Sequence, residues 1–333
     1  LNGQLPVGGG DVEVAVDGRI TGAAGGTSSD WLPRVGGPGY AGDLPTAWGI
    51  NFANFDQGIG ALGGGDVTVN AGGDITDLSV AMPTVGRQLG QAQYDPDTGT
   101  AQVITNQVEV SGGSQMAVIA GGNIQGGTFL AGQGDVTLQA GGAIGASPHT
   151  SLDPILEVGD ARFDVSAGGD VGLETAVNPT MLPQSLTQAL GGASTPLSYF
   201  FTYGPQSAVN LTSLSGDIVL NARSNPSSQL WTVYPATLSA TALQGNIVDD
   251  QNALTLFPSP TGQLRLLAGG SVLAADQQQP KINVSDADPS LMPSAAAPTN
   301  DISAQSTVLR SLNFASSAQY NHATVPVHTG DTV

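Results

Sequence analysis

The sequence predicts an all-β chain wound as a parallel β-helix, with roughly 20 residues per coil. Three observations carry that expectation. A short phrase of alternating apolar residues followed by small residues recurs along the chain. Its closest copies are 20 residues apart. The composition is rich in glycine (47 of 333 residues), with only 11% charged and 5% aromatic residues, which suits short strands and tight corners better than helices.

The phrase comes first because it defines the coil. Residues 8–21 read GGGDVEVAVDGRIT and residues 63–76 read GGGDVTVNAGGDIT. MAVIAGGNI follows from Met116, DVTLQAGGAI from Asp135, FDVSAGGDV from Phe163 and LRLLAGGSV from Leu264. In a strand, alternate side chains share a face, so Val67, Val69 and Ala71 point one way and Thr68 and Asn70 the other. The equivalent inward sets are Val12/Val14/Val16, Met116/Val118/Ala120, Val136/Leu138/Ala140, Phe163/Val165/Ala167 and Leu264/Leu266/Ala268. Gly72-Gly73-Asp74 is then expected to turn the chain through positive-φ conformations, with Ile75 restarting the inward row. Copies at Ser215–Ala222 and Ala240–Val248 are degenerate and leave their register open.

Spacing selects the architecture. Ile144 follows Ile124 by 20 residues, Val171 follows Ile144 by 27, and Val272 follows Ile247 by 25. The intervals from Ile20 to Ile75 (55) and from Ile75 to Ile124 (49) hold either two coils or one coil with a large insertion. No helical periodicity lies between copies, against leucine-rich and βαβ repeats, and a propeller blade needs about 40–45 residues. Stacked coils about 4.8 Å apart would pile equivalent residues into internal ladders.

Residues 1–274 are therefore expected to form the β-helix, with insertions at about 22–62, 77–110 and 175–212. Those segments turn to Pro, Ser, Thr, Asn and aromatic residues, including Trp31, Tyr40, Trp48, Phe52 and Phe55. Within 77–110, Gln91–Tyr94 and Thr100–Val103 flank a turn sequence and read as a hairpin. Within 175–212, Met181–Leu190 reads as a short helix ahead of the run Tyr199–Tyr203. Aromatics in such loops either pin them to the scaffold or contact a ligand, and pinning is the commoner role. Residues 275–333 are Pro/Ser/Asp-rich and read as an excursion leading to further coils. The chain begins at Leu1 without a signal core and reads as a piece of a longer polypeptide.

Charge and motifs limit the chemistry. A net charge of −19 with scattered cations argues against nucleic acid as a partner. The absence of cysteine excludes disulfides and thiolate chemistry. The recurrent Gly-Gly-Asp lacks the nine-residue tandem period of calcium-binding repeats, so Asp66 and Asp74 read as corner residues. Glycoside hydrolysis needs two carboxylates on one side. Asp249 and Asp250 are adjacent and point apart, whereas Asp286 and Asp288 fall in a turn-like Ser-Asp-Ala-Asp-Pro-Ser. His149, His322 and His328 lie in polar or Pro-flanked segments without a nucleophile elbow. No catalytic, metal-binding or cofactor-binding residue is assigned, and no enzymatic activity is expected.

WGINFANFDQGIGALGGGDVTVNAGGDI (48–75), FTYGPQSAVNLTSLSGDIVLNA (201–222), YPATLSATALQGNI (234–247) and VSDADPSLMPS (284–294) together resemble the filamentous haemagglutinin family of exoproteins of Gram-negative bacteria. The resemblance runs over most of residues 8–330. It implies a right-handed β-helix, two-partner secretion through an outer-membrane barrel, and a place at the cell surface or outside the cell. The roles it implies are adhesion, aggregation or biofilm formation, with a host or bacterial surface protein or glycan as partner. The family's secretion domain and toxin domains have no counterpart in these residues. Two other readings stand beside the adhesin shaft. One is a polysaccharide-binding or polysaccharide-degrading β-helix, recognisable by a long groove lined with charged side chains. The other is a filament subunit that associates end to end.

Overall fold

The computed structural model describes residues 8–23, 28–39, 42–56, 58–89, 92–94, 101–103, 106–182, 199–221, 233–249, 254–274, 282–285, 287–298, 310–313 and 324–327. These residues are all-β apart from short 3-10 turns, and most of the strands stack in long parallel sheets. The first sheet orders Val12–Val16, Val67–Ala71, Ser114–Ala120, Thr128–Ala140, Ile155–Ala167, Ala208–Ser213, Thr237–Ala242 and Gln263–Ala268. The second is 8-stranded and takes up the chain just after each of these, from Ile20–Thr21 to Val272–Ala274. A third set runs through Ile59–Gly60, Val80–Met82, the first halves of the two long strands and Thr175–Val177. It is followed by Val233–Tyr234, Leu254–Leu256 and Ile282–Val284.

Register is kept residue for residue. Val14 pairs with Val69, Val69 with Val118, Val118 with Leu138, Leu138 with Val165, Val165 with Leu211, Leu211 with Ala240 and Ala240 with Leu266. The inner members of this row are buried, and burying one such side chain contributes about 1.5–3 kcal/mol. In the second sheet Ile20, Ile75, Ile124, Ile144, Val171, Ile218, Ile247 and Val272 form an equivalent row. Ile75 pairs directly with both Ile20 and Ile124, so each of the two long intervals holds one pass of the chain plus an insertion. The two degenerate copies are also in register, at Ile218 and Ile247.

The corner works differently from the expectation. Gly72, Gly73, Gly121, Gly141 and Gly168 do not adopt positive φ. Glycine is needed there because the rungs nearly touch. A Cβ on Gly121 would collide with the carbonyl of Gly72, one on Gly141 with that of Gly121, and one on Gly168 with that of Gly141. The two degenerate copies carry Leu214 and Leu243 at this place. Their corners are one residue longer, and both leucines turn outward, 50% and 55% exposed.

Where the last corner residue is Asp or Asn, its side chain ties rung to rung. Asp74 Oδ1 accepts from the Asn123 backbone N at 2.7 Å, and Asn123 Oδ1 accepts from Ala143 N at 2.8 Å. Asp170 Oδ1 accepts from Asp217 N at 2.8 Å, Asp217 Oδ1 from Asn246 N at 2.7 Å, and Asn246 Oδ1 from Ser271 N at 2.9 Å. Asp66 does the same at the preceding corner, accepting from Gln115 N at 3.1 Å. These aspartates serve the backbone, which is why Gly-Gly-Asp recurs without a calcium period.

The insertions fold onto the third sheet. Arg34–Gly39, Gly42–Trp48, Thr84–Gln88 and Val108–Gly112 form a largely antiparallel sheet, joined by the expected hairpin of Ala92–Tyr94 with Ala101–Val103. Trp31, Trp48 and Phe200 pack on Ala81 and Leu130, the outward side chains of the third sheet. Trp48 Nε1 donates to Thr84 Oγ1 at 3.3 Å, and Trp31 meets Phe55 edge-on at 5.0 Å. Phe52 is 69% exposed, and Tyr40 lies outside the described residues. Strands Ile59–Gly60, Val80–Met82 and Thr175–Val177 fall inside the segments read as insertions, yet they belong to the parallel stack. So does Ile282–Val284, beyond residue 274. The helix read over Met181–Leu190 has only its start among the described residues, where Pro179–Met181 is a 3-10 turn. Near the end of the chain Arg310–Asn313 pairs antiparallel with Thr324–Val327. No helix among the described residues is long and apolar enough to cross a membrane.

Candidate functional site

The outward row of the second sheet runs through Gln125, Gly145, Gly172 and Val219, with the corner residues Asn123, Ala143, Asp170 and Asp217 along one margin. Two glycines in this row leave the sheet surface low. Residues 146–154 leave the sheet after Gly145 and wall the opposite side. This loop is the surplus in the 27-residue interval between Ile144 and Val171. Its own chemistry shapes it. Ser147 N donates to Leu152 O at 2.8 Å, Ser151 N donates to Ser147 O at 2.9 Å, and Ser147 Oγ accepts from His149 N and Thr150 N. Ser151 sits at φ 59°, a left-handed conformation that closes the turn.

Two side chains fasten the loop. His149 Nδ1 meets Asp77 Oδ2, and Asp77 is itself buried and left-handed at φ 53°. Asp153 hangs over the floor and accepts from Asn221 Nδ2. Its closeness accounts for the glycine below, since a Cβ on Gly172 would lie 2.7 Å from Asp153 Oδ1. Between loop and sheet is a groove of about 580 Å³, floored by the outward row with its corner residues and walled by Ala146, Ser151 and Asp153, with Asn221 at one end. Its charged lining among the described residues is Asp153, Asp170 and Asp217. Among the described residues no three His, Cys, Asp or Glu side chains converge as a metal site would require.

The carboxylates and histidines weighed from the sequence are scattered. Asp249 is buried at the end of a second-sheet strand, pairing with Leu220 and Ala274 and lying near the buried phenol of Tyr234. Burial pushes the ionisation of Tyr234 well above the ordinary tyrosine range. Asp288 caps the turn Pro289–Leu291, accepting from Ser290 N at 2.9 Å and Ser290 Oγ at 2.7 Å, and these bonds hold its carboxyl below the usual range. Asp250, Asp286, His322 and His328 lie outside the described residues. His149 is the one histidine brought to a carboxylate among the described residues, and its partner Asp77 was not singled out by the sequence. The long 27-residue interval was the available signal for the groove wall. Nothing local marked Asp153 and Asn221, which are 68 residues apart.

One further carboxylate is unusual. Glu157 occupies the outward row of the third sheet between Leu130 and Val177, fully buried beneath the insertion. Its Oε1 accepts from Ser28 N at 3.1 Å, while Oε2 has no hydrogen-bond partner among the described residues. Burial pushes its carboxyl up to about 7, against the lowering effect of the Ser28 bonds.

Comparison with known proteins found no matching family model, no matching curated protein and no matching solved structure.

Proposed function

We propose that the stacked sheets are the three faces of a right-handed parallel β-helix, and that this helix is a shaft segment of a secreted bacterial surface adhesin. The observation that carries the reading is the unbroken register of equivalent residues from Val14 to Leu266. A chain that adds one rung per pass gains length at constant width, which suits holding a contact site away from a cell. The insertions fit the same role, because their tryptophans brace the third face. The resemblance of residues 48–75, 201–222, 234–247 and 284–294 to filamentous haemagglutinin exoproteins supports secretion, the cell-surface setting and a part in adhesion, aggregation or biofilm formation. The proposed role is structural rather than enzymatic.

Electron microscopy of the purified chain tests the architecture. Slender rods with a repeat of about 4.8 Å are expected, and compact particles without it would refute the helix. Deleting the segment from the parent exoprotein tests the role. Shorter fibres and weaker cell adhesion or aggregation are expected, and unchanged values of all three would sink the shaft reading.

A further inference from the structure

We propose that the first insertion carries a pH-operated flap: ionisation of Glu157 lifts residues 28–33 and 49–55 off the third sheet, and protonation lets them close. The inference stands on burial, hydrogen bonding and chain path, and it holds whether or not the chain serves as an adhesin shaft.

The seal is built on an acid set in an apolar row. On the outward side of the third sheet Glu157 stands between Leu130 and Val177, with Ala81 beyond Leu130. The flap lays Trp31 and Leu32 over this surface, with Ile50 and Phe55 packed beside them. Glu157 is fully buried there. Such a carboxyl is tolerated when protonated and costly when charged. Its polar contact is with the flap itself: Oε1 accepts from Ser28 N at 3.1 Å, and Oε2 has no partner among the described residues. The charged and titratable groups around it are engaged elsewhere. Arg34 donates to the Leu182 carbonyl and lies over the Tyr199 ring at 4.9 Å. Asp30, on the same turn as Ser28, is exposed. Glu174, just before the adjoining strand, and Asp249 are buried and act on the Tyr234 phenol. Burial therefore dominates at Glu157 and holds its carboxyl at about 7 rather than 4.5.

Chain path leaves the flap free to move. It belongs to one excursion that departs from the stack after Thr21 and rejoins it at Ile59, so it can lift without unpairing a rung. Arg34 pairs with Trp48, and Trp48 with Gly86 of the next strand, which anchors the flap at its base. Above the base the flap is tied to itself, Gly49 N donating to Pro33 O at 3.0 Å and Asn51 N to Trp31 O at 2.8 Å. Below pH 4.5 the acid is protonated whether the flap is shut or lifted, and closure is fully favoured. As pH rises from 4.5 to about 7 the lifted state ionises first. The opening constant then grows about tenfold per pH unit, roughly 300-fold over the whole range.

The experiment is hydrogen exchange of the whole chain, read by NMR at about pH 5 and about pH 8, with the intrinsic base dependence of exchange divided out. The Ser28 amide and the Trp31 indole N–H are expected to exchange on the order of fiftyfold more readily at the higher pH. Amides of Ile155–Val158, in the strand beneath, are expected to stay slower than both at each pH because the rungs remain paired. Glu157→Gln keeps an oxygen for Ser28 and cannot ionise, so its flap is expected to lose this pH dependence. The inference is overturned if wild type shows no such acceleration, or if the folded Gln variant shows the same one. Acceleration at Ser28 without Trp31 would mean that water reaches Glu157 under a flap that stays down, and this also overturns it. So does strand exchange as fast as that of the flap, which would mean that the rungs themselves open. The wild-type comparisons decide the matter even if the variant misfolds. Rod formation is read separately, so failure here is distinct from failure of the shaft proposal.

Discussion

A carboxylate sealed between a sheet and its cover, as Glu157 is, makes stability depend on pH in an unusual direction. Its folded value is raised from 4.5 to about 7 by burial. The stabilising contribution is therefore complete below about pH 4.5 and is lost as pH rises through 7. At about 1.4 kcal/mol per unit, the full effect is roughly 3 kcal/mol. Replacing the residue, Glu157→Gln, is expected to abolish it. Unfolding by urea at several pH values checks this: the stability difference between wild type and the Gln variant should change steadily between pH 4.5 and 7.5, against wild type at the upper end. A constant difference would mean that Glu157 is solvated. The sequence around it, Ile-Leu-Glu-Val, carries no sign that Glu157 is covered. What covers it is Ser28, 129 residues earlier, a distance over which local pattern carries no information. The inward rows were legible for the opposite reason, since the alternation of Val67, Val69 and Ala71 reports burial within five residues.

At the scale of the element, the corner and the third sheet teach different lessons. The corner phrase was readable, but its reason was close approach between rungs rather than backbone handedness. Gly141→Ala should therefore cost about 1–3 kcal/mol by forcing neighbouring rungs apart. Leu214→Ala, at the equivalent place in a longer corner, should stay within about 0.5 kcal/mol because its side chain points outward. Urea unfolding of the two variants compares them directly, and equal costs would mean that the carbonyl of Gly121 can move aside. At the first of the two longer corners Ser213 stands where most other rungs, including the second longer corner at Ala242, carry Ala. Its hydroxyl accepts from Gly216 N and has the carbonyls of Gly169 and Gly216 both within reach of its single proton, filling the extra turn. The third sheet was not legible. Val80-Ala81-Met82 and Leu156-Glu157-Val158 are buried on both faces, so they show no alternation to mark them as strands. The insertions that cover them supply the second apolar side.

Across the whole molecule, burial is uneven from end to end. In the middle rungs Val118, Leu138 and Val165 are shielded, whereas Val16 at one end is 40% exposed and Val272 and Leu273 at the other are 42% and 44% exposed. Each rung gains its burial from two neighbours, so the outermost rungs should open at lower cost than the centre. Hydrogen exchange is expected to show amides of Met116–Ala120 and Phe163–Ala167 protected far longer than those of Val12–Val16 and Gln263–Ala268. Uniform protection would mean that the stack opens only as one unit. The Asp/Asn ladder has a polarity: Asp74, Asn123, Asp170, Asp217 and Asn246 each accept from the following rung. A finished rung thus presents a prepared template, and the next stretch of chain needs only to deliver its backbone N–H. A chain that folds from its amino end meets these five acceptors in the order it needs them, so each such corner holds in place the stretch just added.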